Sequence, residues 1–167
     1  MVFSQFDKAL GSLVVLIADG NSYASRLTRI MLTNVGVKLI HEVQDGAAAL
    51  EAIRAINPDV MILEWDIPVL DGREVMRIMR SPGLFPKPNL PVIMLTNYGL
   101  SSRLNEALHL GVHEFLVKPI SSKTLQQRLI GILFKPRPMV LTGGFYVPLP
   151  RRSIDRDELI GSQVVLA

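Results

Sequence analysis

Val60-Met61-Ile62-Leu63-Glu64-Trp65-Asp66-Ile67-Pro68-Val69-Leu70-Asp71-Gly72 is the stretch that decides the fold. Val60 to Leu63 is an apolar run too short for a helix, so it reads as a buried strand. The strand runs into an acidic residue, Glu64. Pro68 and the Asp71-Gly72 pair then end it and open a new element. A parallel α/β sheet carries its chemistry at such a point, just outside the carboxyl end of a strand.

The same grammar recurs on both sides. Upstream, an Ala-rich helix over about Asp45–Ile56 closes at Asn57-Pro58. Before it, Val37 to Val43 alternates imperfectly, which fits an edge strand. Leu27, Ile30, Met31 and Asn34 or Val35 recur at helical spacing, with Gly36 placed as a C-terminal glycine. Leu13 to Ala18 is the first strand, and Asp19-Gly20-Asn21-Ser22 is the turn that leads into that helix. Downstream, Asp71 caps a helix over Arg73–Arg80, and a Pro-rich loop reaches Leu90. Pro91 to Leu95 is a strand ending at Thr96. Leu100, Leu104, Ala107, Leu108 and Gly111 mark the fourth helix, and Glu114 to Val117 a strand ending at Lys118-Pro119. Ser121 or Ser122 caps a fifth helix carrying Leu125, Leu129, Ile132 and Leu133.

Strand and helix thus alternate five times. Apolar strands without strict alternation predict a parallel sheet covered on both faces, a doubly wound α/β fold. The chain divides into an N-terminal extension (1–11), a domain (12–134) and a C-terminal tail (135–167) rich in Pro, Gly and Arg.

Composition narrows the function. Among 167 residues the net charge is only +3 and there is no Cys, which removes disulfides and thiolate metal sites. Residues 1–134 carry 13 basic and 12 acidic side chains, and residues 135–167 carry five and three. Neither part has the concentrated positive charge of a nucleic-acid binder, and Arg151-Arg152 without a recognition helix gives little reading power. The run Ala9–Ala18 lacks the flanks of a secretory signal, and no run reaches the ~18 apolar residues that span a membrane. The expected compartment is the cytoplasm.

Four strand ends present Asp19, Glu64, Thr96 and Lys118, which a parallel sheet gathers on one rim. Carboxylates there suit a hard cation such as Mg²⁺, and a hydroxyl with an ammonium suits phosphoryl oxygens. Asp66 stays open. Period-two geometry could put it on the side of Glu64, as a replacement ligand, or leave it in solvent. Asp71-Gly72 reads as a cap and turn, Trp65 as a rim aromatic, and His41, His109 and His113 lack ligand spacing.

With these residues in place, the chain resembles the receiver domain of two-component response regulators in its stand-alone, chemotaxis-type form. The resemblance covers residues 12–134. It rests on Val-Leu-Ile-Ala-Asp-Gly-Asn at 15–21, Glu-Trp-Asp-Ile-Pro-Val-Leu-Asp-Gly at 64–72, Leu-Thr at 95–96 and Phe-Leu-Val-Lys-Pro at 115–119. It implies a flavodoxin-like topology and a set of roles. Asp19 matches a Mg²⁺-binding acid, and Thr96 the hydroxyl that moves onto the phosphoryl group. Lys118 matches the lysine that pairs with that group, ahead of a cis Pro119. Phe115 matches the aromatic switch residue, and Asp66 falls where a backbone carbonyl meets the metal.

Two departures stand out. The phosphoacceptor position holds Glu64, and the second acid expected after Asp19 is Gly20. The extra methylene displaces the carboxylate by roughly 1.5 Å, one bond length. Phosphoryl transfer is mostly positioning, and a ~1 Å error costs ~10²-fold. Weak Mg²⁺ binding through Asp19, Glu64 and Asp66 is therefore the expectation. The function expected is that of an atypical single-domain response regulator, not an enzyme beyond residual self-phosphorylation and dephosphorylation. It works by contact with a sensor histidine kinase or other signalling protein. The alternative is an active phosphoacceptor using Glu64 or Asp66 with Mg²⁺. Finally, Met139 to Leu149 is too apolar for a free arm. Burial is expected against Ile130 and Phe134 on the fifth helix, within the chain or across a homodimer.

Overall fold

In the computed structural model the backbone is described for residues 2–150 and 163–166, and the side chains for residues 5–150. Five strands, β1 (Val14–Ala18), β2 (Leu39–Val43), β3 (Val60–Glu64), β4 (Val92–Thr96) and β5 (Glu114–Val117), form a parallel sheet in the order β2-β1-β3-β4-β5. β2 is an edge strand, as its imperfect alternation predicts. The order makes a doubly wound sheet with its switch between β1 and β3.

Alternation along the strands separates two cores. Leu16, Ala18, Met61, Leu63 and Met94 face one side, where α3 (Gly46–Ile56), α4 (Gly72–Arg80) and α5 (Ser101–His109) cover them. Val15, Ile17, Val60, Ile62, Ile93 and Leu95 face the other, under α2 (Ser22–Asn34) and α6 (Ser122–Phe134). A helix preceding β1, α1 (Val2–Ser12), completes this second layer with the fully buried Leu10. The helix starts follow the cap chemistry of the sequence. Asp71 accepts from Glu74 N at 3.0 Å and closes a capping box, and Ser121 accepts from Thr124 N at 3.1 Å. At α2 the cap is Asn21, which accepts from Ala24 N at 3.0 Å.

Lateral backbone bonds align the strand ends. Asp19 N donates to Val43 O (3.1 Å), Trp65 N to Leu95 O (2.9 Å) and Lys118 N to Thr96 O (2.8 Å). One row of residues is thereby held at one rim. The Lys118–Pro119 bond is cis. At the opposite end Arg80, with no exposure, donates to the carbonyls of Pro88 (2.6 Å), Leu90 (2.6 Å) and Gly111 (3.1 Å). It fastens the Pro-rich loop to the entry of β5, and burial pushes its guanidinium down to about 9.

The tail differs from expectation twice. First, it is ordered in its own right: β6 (Met139–Thr142) and β7 (Phe145–Pro148) form an antiparallel hairpin, and β8 (Gln163–Leu166) adds to β6. Gly143 and Gly144 turn the hairpin with φ of 61° and 84°, values open to glycine, which matches a primed two-residue turn. Second, the hairpin does not seek Ile130 and Phe134. It folds back on its own domain beside α4 and the Gly111 turn, where the Tyr146 carbonyl leaves no room for a Cβ at residue 111. Arg137 ties it there by donating to His113 O, and Met139 and Val140 are buried. The end of α6 is met instead by α1, whose Phe6 ring lies edge-on to Phe134 with centroids 4.9 Å apart.

Candidate functional site

The rim opens into a cleft of about 600 Å³ whose lining includes Asp19, Gly20, Glu64, Asp66, Asn97 and Lys118. Four sequence-predicted residues, Asp19, Glu64, Asp66 and Lys118, line it, Thr96 joins them through Arg103, and the bonds divide into two groups.

The first group centres on Lys118. Its ammonium lies 2.5 Å from Glu64 Oε2 and 3.0 Å from Asp19 Oδ2. Asp19 and Glu64 are both about 5% exposed. Burial alone weakens a lysine's charge, but the bond and attraction to Glu64, then to Asp19, outweigh it and raise the Lys118 pKa. Asp19 Oδ1 accepts from Asn21 N at 2.9 Å. Glu64 Oε1 has no hydrogen-bond donor among the described residues.

The second group centres on Arg103, on the first turn of α5, which the strand-end pattern does not reveal. Arg103 Nη1 and Nη2 donate to Asp66 Oδ2 (2.9 Å) and Oδ1 (3.3 Å), a two-pronged grip. Nη1 also donates to the buried Thr96 hydroxyl at 3.0 Å, which accepts from Tyr98 N at 3.2 Å as well. The guanidinium lies 5.1 Å from the Trp65 ring and 5.2 Å from that of Tyr98. Trp65 is a core residue rather than a rim aromatic, and Phe115 packs edge-on to it at 6.2 Å. Asp71 is a helix cap outside the cleft lining.

Gly20 is a matter of space. A Cβ there would stand 2.5 Å from Pro68 Cδ and 3.2 Å from Pro68 Cγ, so the proline ring fills the place where a side chain would start. Among the described residues no three His, Cys, Asp or Glu side chains are arranged to hold a metal ion. The donor set is therefore a poor fit to Mg²⁺. Asp66 is gripped by Arg103, and Asp19 and Glu64 share one ammonium.

A doubly wound sheet with acidic, hydroxyl and lysine groups at successive strand ends is the arrangement that the sequence resemblance to two-component receiver domains implies. The comparisons agree. Residues 15–130 match the response regulator receiver domain family, and the chain belongs to it. It is 30% identical over 121 residues to chemotaxis protein CheY1 of Helicobacter pylori, covering 71% of this chain and 95% of that one. Among solved structures, the receiver domain of Francisella response regulator 1452 superposes with a TM-score of 0.65 at 30% identity, covering 74% of this chain and 98% of that one. The receiver domain of sensor histidine kinase PA1611 from Pseudomonas aeruginosa PAO1, solved with a magnesium ion in its active-site cleft, superposes with a TM-score of 0.63 at 25% identity, covering 71% and 94%. No described helix is long and apolar enough to cross a membrane.

Proposed function

We propose that this chain is an atypical response regulator receiver that signals through contacts with a histidine kinase or another signalling protein in the cytoplasm, with its own phosphorylation impaired or absent. The observation that carries the reading is the Pro68 ring against Gly20, which occupies the position of the missing acid. The Lys118–Glu64 ion pair supports it, because the ammonium that should meet a phosphoryl group is committed to the acceptor side chain. Mg²⁺ binding at this cleft is weak, in the millimolar range or beyond, since Mg²⁺ sheds water only for well-placed carboxylates.

Intact-mass measurement with acetyl phosphate and Mg²⁺ tests this. The expected result is an unchanged mass. The rival reading, an active phosphoacceptor at Glu64 or Asp66, draws on the donor-free Glu64 Oε1. It is established instead if one phosphoryl group is gained and the gain disappears in Glu64→Gln or Asp66→Asn.

A further inference from the structure

His113 is a buried titratable side chain, 8% exposed, at the end of the sheet opposite the cleft. Its ring Nδ1 accepts from Val92 N at 3.3 Å, and Arg80 Nη2 lies 3.4 Å from the same atom. Two N–H groups aimed at Nδ1 require a lone pair there, so the ring is neutral and carries its proton on Nε2. The backbone of the residue holds two further neighbours. His113 N donates to Val92 O at 3.0 Å, and His113 O accepts from Arg137 Nη2. Arg137 Nη1 reaches on to Leu149 O at 3.4 Å, so one guanidinium ties the exit of the hairpin to this turn. Gly111, two residues earlier, meets the Tyr146 carbonyl of β7 and accepts from Arg80 Nε. The charged groups around His113 are Arg80 of α4, Arg137 of the segment after α6, and Glu114 of β5, whose carboxylate lies 3.3 Å from Arg128 of α6.

We propose that His113 is an acid-sensitive latch for the C-terminal hairpin: its neutral ring fixes the 111–113 turn on which β6 and β7 rest, and a proton on Nδ1 releases them. That proton would face the N–H of Val92 and place a second buried cation 3.4 Å from the Arg80 guanidinium. The closed latch therefore excludes the proton, whereas an open one takes it at the ordinary histidine value of about 6.5. Opening is thus independent of pH above that value and grows ~tenfold for each unit below it, until the closed state itself takes the proton. Release uncovers the buried Met139 and Val140, and with them Leu110, which lies under Phe145 and Val147 in the groove between hairpin and α5.

Hydrogen exchange of the full chain tests the latch, read by mass spectrometry on peptides from 136–150 and corrected for the intrinsic exchange rate. His113→Asn puts an acceptor oxygen near the place of Nδ1 and cannot take a proton, and His113→Gln serves if the asparagine variant fails to fold. In the wild type, protection of the hairpin should fall at least ~tenfold between about pH 7.5 and about pH 5, while peptides from β3 keep theirs. In the variant the hairpin should keep its protection at both values. His41 and His109 are present in both proteins and cancel in the comparison. Unchanged protection of the wild-type hairpin overturns the proposal, as does an equal fall in the variant. An equal fall in the β3 peptides overturns it too, because that is acid unfolding of the whole domain.

Discussion

The contact between Gly20 and Pro68 makes a sign-reversing prediction. In Gly20→Ala the new Cβ would stand 2.5 Å from Pro68 Cδ, an overlap that some shift must relieve. Both Pro68 and its neighbours are constrained: Pro68 O accepts from Gly46 N at 3.0 Å, and the next residue, Val69, already has φ of 72°. Overpacking of this kind costs ~1–3 kcal/mol. Against it, Gly→Ala removes unfolded-state freedom worth ~0.4–1 kcal/mol, because Gly20 does not need a left-handed backbone. The net expectation is a loss of ~0.5–2 kcal/mol, the difference of those two terms. Pro68→Ala deletes both Cγ and Cδ. In that background Gly20→Ala should instead stabilise, by ~0.4–1 kcal/mol. Urea denaturation of the four proteins gives the coupling energy directly, provided the slope m is unchanged. If Gly20→Ala stabilises in both backgrounds, the proline ring does not occupy that space, and the account of the missing acid fails with it. Glu64→Asp with Gly20→Asp is likewise expected to gain Mg²⁺ affinity only when Pro68 is changed too, measured by calorimetry of the double and triple variants.

Three further outcomes are expected. Val69 is 73% exposed and holds a β-branched side chain at positive φ, so Val69→Gly should stabilise by ~1 kcal/mol, the strain relieved less the entropy glycine brings; a lower urea midpoint would contradict this. Arg80→Met leaves the carbonyls of Pro88, Leu90 and Gly111 without their donor and should cost ~2–4 kcal/mol, read by chemical denaturation; a near-neutral result would mean that water or the backbone replaces the guanidinium freely. The raised pKa of Lys118 means that the folded state holds this proton more tightly than the unfolded state. Its stabilisation is full below the ordinary lysine value and is lost as pH rises through the folded value. Arg80, pushed down to about 9, contributes in the opposite sense in alkaline solution, so the comparison that isolates Lys118 is wild type against Lys118→Met. Their stability difference should shrink above pH ~10.5, the ordinary lysine range, and a constant difference would refute the assignment.

The sheet was legible because four apolar runs each end in a polar residue and a fifth segment alternates as an edge strand does. Parallel pairing then leaves only one rim for Asp19, Glu64, Thr96 and Lys118. Arg103 was not legible. It sits within a helix whose periodic residues are Leu100, Leu104 and Leu108, and nothing local marks its reach to Asp66 and Thr96. The hairpin was legible in principle, since Thr142-Gly143-Gly144-Phe145 is a turn signal between two apolar runs. Pro136, Pro138, Pro148 and Pro150 masked it by suggesting interruption, whereas three of them lie outside the paired segments and Pro148 ends β7. The docking place of the tail followed from α1. Phe6 on Phe134 and Leu10 in the core take up surface near α6; Phe3, Phe6 and Leu10 stand at helical spacing in the sequence, but nothing local says which helix they meet.

The residues at 20 and 64 are linked through the charges around Lys118. A buried carboxylate needs a partner, and a buried ammonium needs one as well. Glu64 is long enough to bring Oε2 within 2.5 Å of Lys118, and Lys118 spans on to Asp19. Asp66 and Arg103 satisfy each other one loop away. Three carboxylates therefore meet two side-chain cations from the same chain, and no further acid is needed at residue 20 to complete either group. Shortening Glu64 to Asp withdraws the carboxylate from Lys118 by roughly 1.5 Å, one bond length, without supplying the acid that a metal would use in exchange. Restoring an acid at residue 20 alone adds a third negative charge around one lysine and collides with Pro68. Each change made singly is expected to leave Lys118 or one of its carboxylates worse partnered than before, which a double-mutant cycle between residues 20 and 64 would read as coupling.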